Sequence, residues 1–312
     1  LLILFVVSLA IYGLVRCLPN DYIDLKFADK LAQKQITEEQ ILDIKKLYGL
    51  ADNSFGGIIK GYFQWLGNAL RGNLGMSFKF ELPVAEVIGE YMWISFWIAL
   101  VAMVLQFLIA IPLGVMSATH QYSPLDYTVT VLTMIGISLP SFFLGTLLIK
   151  VFASNTGWLP MQGLVDAKAD YTGIAHVGDV IRHCILPVAT LVIINIGGLM
   201  RYSRTNADYI RTARAKGCSE KSVIYKHVFR NTMIPLVTMM AGLLPSLFGG
   251  AMITEEVFAL QGIGQKAYQA LKEGDVPFIM GYNMFLAILT VIGTLLADLA
   301  YAIVDPRVKL DR

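Results

Sequence analysis

The sequence predicts an all-α polytopic membrane protein. It reads as six transmembrane helices, a small external domain between helices 1 and 2, and a basic cytoplasmic loop between helices 4 and 5. Three observations predict this. Of the 312 residues, 56% are hydrophobic and 15% are charged, against about 25% charged in a typical soluble domain. Long apolar runs recur, each with at most one charge. Basic residues gather in the loops of one side. The net charge of +2 carries no global polyanion signal, so nucleic acid is not an expected partner.

The elements follow in order. Residues 1–15 are apolar and would span about 22 Å as a helix, against a hydrocarbon core of about 30 Å. Arg16-Cys17-Leu18-Pro19 follows, with no small-x-small cleavage site, so a signal-peptide core is disfavoured. Residues 1–18 are expected to be the first transmembrane helix, with its N-terminus truncated. Residues 19–92 are expected to form the external domain. Thr37 can cap a helix there, with Gln40 reaching back in a capping box. Ile41, Ile44 and Tyr48 share one face of that helix, and Gly49 suits its end. A second helix over 58–70 places Ile58, Tyr62, Trp65 and Ala69 on one stripe, and Pro83 suits the first turn of a third short helix leading into the next span.

The transmembrane core is expected to cover 93–312. Its apolar runs are 93–118 with no charge, 127–153 with Lys150, 185–200 and 233–254 with none, and 278–304 with Asp298. Most exceed the roughly 20 residues a membrane helix needs; the shortest, 185–200, extends by snorkelling of Arg182 or Tyr202. Barrel strands would be about 10 residues with alternating polarity. Lys150 is expected to snorkel, and Asp298 to bond to a neighbouring helix or loop. Six spans put both termini on one side. Loop 119–124, loop 201–232 and tail 305–312 together hold eleven Lys and Arg; loops 154–184 and 255–280 hold four. The excess places the former set, and both termini, in the cytoplasm.

Several spans contain helix breakers: Pro112, Pro140, Pro187, Pro235 and Pro245, with Gly242, Gly249 and Gly250 in the fifth. Such residues are tolerated where neighbouring helices or a water-filled path satisfy the freed backbone. Pro140, Ser141, Pro245, Gly249 and Gly250 are therefore candidates for lining a path, with close packing as the plain alternative.

Loop 201–232 is the most informative stretch. Between Arg201 and Arg230 it has eight basic residues and two acidic ones, Asp208 and Glu220. Residues 205–216 favour helix, with Ala207, Ala213 and Ala215 as good formers. Gly217 suits a left-handed stop, and Ser219 can cap a second helix with Glu220 in its first turn. On physics alone this is a solvated positive-inside loop, a site for anionic lipid headgroups, or a two-helix knob that docks into a partner protein.

The string Arg-Thr-Ala-Arg-Ala-Lys-Gly at 211–217 resembles the cytoplasmic coupling motif of ABC-importer permeases, in the version of the oligopeptide, dipeptide and nickel group. Gly-Asn-Leu-Gly-Met-Ser-Phe at 72–78 with Pro83-Val84, Ile-Pro-Leu-Gly-Val at 111–115 and Leu-Pro-Ser-Phe-Phe-Leu-Gly at 139–145 are similar in order and spacing to that group. So are Gly-Trp-Leu-Pro at 157–160, Glu-Val-Phe at 256–258, Gly-Ile-Gly at 262–264 and Asp-Pro-Arg at 305–307. The general motif begins Glu-Ala-Ala, where this chain has Arg211-Thr212-Ala213; Pro235 also lies later than the general pattern. The peptide group resembles this chain on both counts.

The resemblance implies a bacterial cytoplasmic-membrane permease subunit that forms half of a translocation path for oligopeptides. The same architecture importing oligosaccharides or nickel is the alternative. It implies a second homologous permease, two cytoplasmic ATPases that use ATP and Mg, and an extracytoplasmic solute-binding protein. It also implies a coupling helix in loop 201–232, formed by Arg211, Thr212, Ala213, Arg214, Ala215, Lys216, Gly217, Ser219 and Glu220. Ala213 and Gly217 would pack in an ATPase groove, and Arg211, Arg214 and Lys216 would make polar contacts.

Other chemistry is disfavoured. Cys17, Cys184 and Cys218 form no CxxC, and the four histidines are scattered, so no metal site is expected. They are read as loop or interface histidines. Gly262-Ile-Gly264-Gln-Lys-Ala267 matches a dinucleotide fingerprint in letters only, without a βαβ unit. No Gly-Lys dipeptide occurs, so the chain has no Walker A loop, no cofactor of its own is expected, and ATP hydrolysis must come from other subunits. No catalytic residues are assigned. An ion-coupled secondary transporter would need relay acids and repeats; an intramembrane hydrolase would need a base beside a nucleophile.

Overall fold

The computed structural model describes residues 2–17, 22–47, 51–52, 54–167, 171–204, 215–219 and 242–304. Within these the chain is helical. Four helices come first: α1 (Leu2–Arg16), α2 (Tyr22–Ala32), α3 (Glu38–Leu47) and α4 (Phe55–Ala69). The long helices follow: α5 (Val84–Thr119), α6 (Pro124–Ser138), α7 (Ser141–Leu148) continuing as a π-helix over Ile149–Asn155, and α8 (Gly173–Arg204). The chain closes with α9 (Leu243–Phe248), α10 (Met252–Val257), α11 (Ile263–Glu273) and α12 (Val276–Val304).

Among the described residues, three helices are long and apolar enough to cross a membrane: Val84–Ser117, Gly173–Met200 and Val276–Ala300. A fourth span results if α6 and α7 with its π turn are taken together, although they meet at a bend of 107°. The sequence suggested one continuous run over 127–153. Pro140 explains the break: the residue before a proline is driven out of the α region, and Leu139 sits at φ −86°, ψ 129°.

Three other boundaries differ from expectation. Pro83 caps α5 directly, and no separate short helix precedes the span. α8 starts at Gly173, well before the apolar run 185–200, so His176 and His183 lie on a helix rather than in a loop. His183 is buried, its Nδ1 lying 2.9 Å from the Asp179 carbonyl oxygen. The apolar run 233–254 is not one helix to its end, because α9 stops at Phe248 and α10 begins at Met252; positions 233–241 lie outside the described residues. Asp298 is exposed, and its expected helix or loop partner is not among the described residues.

The N-terminal helices build two small cores. Ile23 of α2 and Ile41 of α3 bury against each other with Phe27, Ile44 and Phe78. The capping box closes α3: the Thr37 amide donates to Gln40 Oε1 at 2.9 Å and the Gln40 amide donates to Thr37 Oγ1 at 3.3 Å. Gly49 lies outside the described residues. The stripe on α4 docks onto α1, where fully buried Tyr62 meets Tyr12, and its hydroxyl lies 2.8 Å from Ser8 Oγ.

A larger plate joins the starts of α5 and α12 to α11. Val84, Val87 and Ile88 pack with Ile263, Ala267 and Ala270 and with Phe278, Ile279 and Tyr282. Burying each of the larger side chains contributes about 1.5–3 kcal/mol. Asp275, fully buried, clamps the connecting strap to this plate. Its carboxylate accepts from Ser77 Oγ at 2.5 Å, the Lys79 amide at 3.0 Å and the Phe278 amide at 3.1 Å, the last capping α12.

Inside the core, α5 and α8 pack through Ile98, Ala102, Leu186, Val188 and Val192, with Phe258 and Leu260 wedged against them. α6 crosses α8 at glycines. A Cβ on Gly136 would stand 2.6 Å from the Ile193 carbonyl oxygen, and one on Gly197 would stand 2.6 Å from Ile137 Cγ1 and 2.7 Å from Thr133 Cγ2. Small residues let membrane helices approach this closely. Gly198, the next residue, faces open space among the described residues. Gly197→Ala is expected to cost about 1–3 kcal/mol by overpacking, while Gly198→Ala is neutral or stabilising by about 0.5–1 kcal/mol. Thermal unfolding of the two variants in the same detergent checks this; equal melting temperatures would contradict the crossing.

Candidate functional site

Between α5, the end of α6, α8 and the segment 242–251 lies a hollow of about 1020 Å³. Its wall includes Ala99, Met103, Leu191, Ile194, Leu247 and Gly250, and among the described residues no charged side chain lines it. Three polar side chains face it: Gln106, Asn195 and Ser246. Each is held by a bond to a backbone carbonyl. Gln106 Nε2 donates to the Asn195 carbonyl at 3.1 Å, Asn195 Nδ2 to Leu191 at 2.8 Å, and Ser246 Oγ to Leu243 at 2.8 Å.

Of the five residues expected along a path, only Gly250 is in this wall. Pro245 sits inside α9 beside Ser246. Gly249 is buried, where a Cβ would stand 2.9 Å from Leu286. Pro140 and Ser141 lie at the elbow between α6 and α7, three residues beyond Ile137, which does line the hollow. The sequence reading missed Gln106 and Asn195. The available signal was an amide in the middle of an otherwise apolar run, since polar groups inside a membrane are costly and face a cavity or a partner.

A buried carboxylate lies beside the hollow, bonded to the amide of Ala251 in its wall. Glu255 of α10 is 2% exposed. Its Oε1 accepts from Ser95 Oγ at 2.6 Å and from the Ala251 amide at 3.1 Å, and its Oε2 accepts from the Gln265 amide at 2.9 Å. Ser95 Oγ in turn accepts from the Ile263 amide at 2.9 Å. Burial pushes the Glu255 carboxyl above the usual range, and Ser95 followed by the backbone amides pulls it back. The neighbouring glycines make room. Gly250 adopts φ +72°, and a Cβ there would stand 2.6 Å from Glu255 Oε1 and 2.7 Å from the Gly264 amide nitrogen. The motif Gly262-Ile-Gly264 that resembled a nucleotide fingerprint thus serves to bring backbone up to this carboxylate.

On the other side of the chain, Ala215 is helical and Gly217 has φ +75°, the left-handed stop the sequence predicts. Ala215, Lys216, Gly217 and Ser219 are exposed. Arg211, Thr212, Ala213, Arg214 and Glu220 lie outside the described residues.

Removing the buried acceptor leaves Ser95 and the amides of Ala251 and Gln265 without their partner. Each such loss costs about 1–3 kcal/mol, so Glu255→Ala is expected to loosen the segment 249–265 before the rest of the chain. Hydrogen exchange over those residues in detergent reads this out; wild-type protection in the variant would contradict the closure.

The family model described as "Binding-protein-dependent transport system inner membrane component" matches residues 110–310. The oligopeptide transport system permease protein AppB of Bacillus subtilis (strain 168) is 35% identical, covering 98% of this chain and 95% of that protein. A putative peptide permease protein of Brucella suis biovar 1 (strain 1330) is 33% identical with the same coverage. A solved chain described under inward facing conformations of the MetNI methionine ABC transporter aligns with a TM-score of 0.54. It covers 71% of this chain and 97% of that one at 19% identity, a likeness of fold. The chain belongs to the family of binding-protein-dependent transport system inner membrane components.

Proposed function

We propose that this permease subunit carries oligopeptides and couples their passage to ATP hydrolysis by partner subunits. The observation that carries the cargo reading is that relatives matching nearly the whole chain are named for peptides. The chain is itself a transport component rather than a catalyst.

In this reading six spans cross the membrane, with the N-terminal helix 1–18 first, the external domain 19–92 next and the permease core over 93–312. Both termini and loop 201–232 are cytoplasmic, as the basic-residue excess favours. A second homologous permease faces the hollow and completes the passage, for which Pro140, Ser141, Pro245, Gly249 and Gly250 act as breaks that let spans move rather than as a continuous lining. An extracytoplasmic binding protein delivers cargo. Two cytoplasmic ATPases, using ATP and Mg, receive the coupling segment Arg211–Gly217 with Ser219 and Glu220. The left-handed turn at Gly217 supports this segment as a compact knob, since it fixes where the helix ends. A rigid lever acting on a bundle with two arrangements is what such coupling requires.

A side chain at a left-handed position costs about 1–2 kcal/mol, and a β-branched one more. Gly217→Val is therefore expected to abolish ATP-dependent uptake of labelled peptides in cells while leaving the chain in the membrane. Undiminished uptake would refute the coupling assignment. Gentle purification of the wild-type complex followed by mass spectrometry identifies the cargo class. A peptide-binding lipoprotein is the expected companion, whereas a sugar-binding or nickel-binding one would move the cargo and keep the mechanism.

A further inference from the structure

Two amide side chains stand at mid-depth in the wall of the hollow. Gln106 is the fourteenth of the 26 residues in the uncharged run 93–118, which places it near the middle of α5 within the bilayer. Its Nε2 reaches the backbone of Asn195 at 3.1 Å, so the two share a level although they come from different helices. Both line the hollow. Asn195 is exposed on this chain, and Gly198, one turn further along α8, is also exposed and has open space where a side chain would stand.

A polar group at this depth is costly unless it faces water, a partner or cargo. Leucine would fill either position without that cost. Among the described residues the rest of the wall is apolar side chains and glycines, with Ser246 as the only other polar side chain. An amide carries the same donor and acceptor as a peptide bond and no charge.

We propose that Gln106 and Asn195 form a cargo-contacting rung of the passage, one that bonds transiently to the main chain of a passing peptide and is indifferent to its side chains. This rests on the reading of the hollow as this chain's half of the passage. An uncharged wall neither traps nor repels acidic or basic residues, whereas a fixed charge at mid-depth would hold oppositely charged cargo. The anchoring bond of each amide to a backbone carbonyl orients it, leaving its carbonyl oxygen for other donors. The glycine at position 198 keeps the neighbouring turn clear.

The test is uptake by the complete importer, reconstituted in proteoliposomes with its binding protein, of three tripeptides: one neutral, one with a central lysine and one with a central glutamate. In the wild type the rates, each divided by the binding protein's occupancy by that peptide, should be similar. Gln106→Glu is expected to change the lysine-to-glutamate ratio by roughly fivefold or more, because a charge in this low-dielectric setting acts strongly on a passing charge. Gln106→Asn should keep the wild-type ratio.

A ratio that does not change in Gln106→Glu, while uptake continues, overturns the rung and leaves the importer reading intact. No uptake of any peptide by the wild type overturns the cargo reading and the rung with it. Gly198→Phe gives an independent measurement should Gln106→Glu fail to assemble. Its side chain enters open space, so the complex should purify intact and transport at least about tenfold more slowly; a wild-type rate would overturn the proposal.

Discussion

The carboxylate of Glu255 is the interaction on which the join between α5, α9, α10 and α11 depends. Backbone inside or beside a membrane has no water to satisfy it, so a helix that breaks there needs an internal partner for every freed amide. The chain breaks between α9 and α10 and turns again before α11. Glu255 collects donors from both breaks and from Ser95 on α5, 160 positions away. One side chain thereby ties two interrupted helices to a long one. Asp275 does the same for the external strap, drawing Ser77 and Lys79 onto the start of α12. Both acids answer the same problem, irregular backbone that must be held without solvent.

How far this was legible in the sequence depends on distance along the chain. Local signals were readable because the partners are neighbours: Thr37 with Gln40, and Gly217 at a left-handed stop. Pro83 was readable as a helix start, but not as the start of the long span itself. The stripe Ile58–Tyr62–Trp65 was readable because it is periodic. The elbow at Pro140 was visible as a breaker but not as a 107° bend, since proline fixes where a helix stops and packing fixes where the chain goes next. The extent of α8 was missed because its first turns carry Asp179, Arg182 and His183, polar residues that interrupt the hydropathy signal even though Asp179 and His183 are buried in the fold. The Glu255 node was out of reach, as its meaning lies in Ser95 and Ile263, brought together only by the fold.

The hollow follows the same logic. Glycine at 197 is packing and glycine at 198 is space, yet the two letters are identical in the sequence. Only the position of α6 against α8 separates them. The breakers chosen from sequence mark where helices are interrupted, and the described wall beside them is mostly aliphatic side chains and glycines, with a serine and two amides. Interruptions shape the passage without being its surface.

Finally, α5 runs unbroken from Val84 to Thr119, 36 residues, about 54 Å at the usual rise against a hydrocarbon core of about 30 Å. Its outer turns are not a separate piece joined by a hinge; Val84 and Val87 are embedded in the same plate as α11 and α12. The helix is thus a stiff shaft with a handle fixed to one end. A tilt of about 10° along that length would carry one tip about 9 Å relative to the other, so a small angular adjustment of the helix becomes a large sweep of the plate fixed to it.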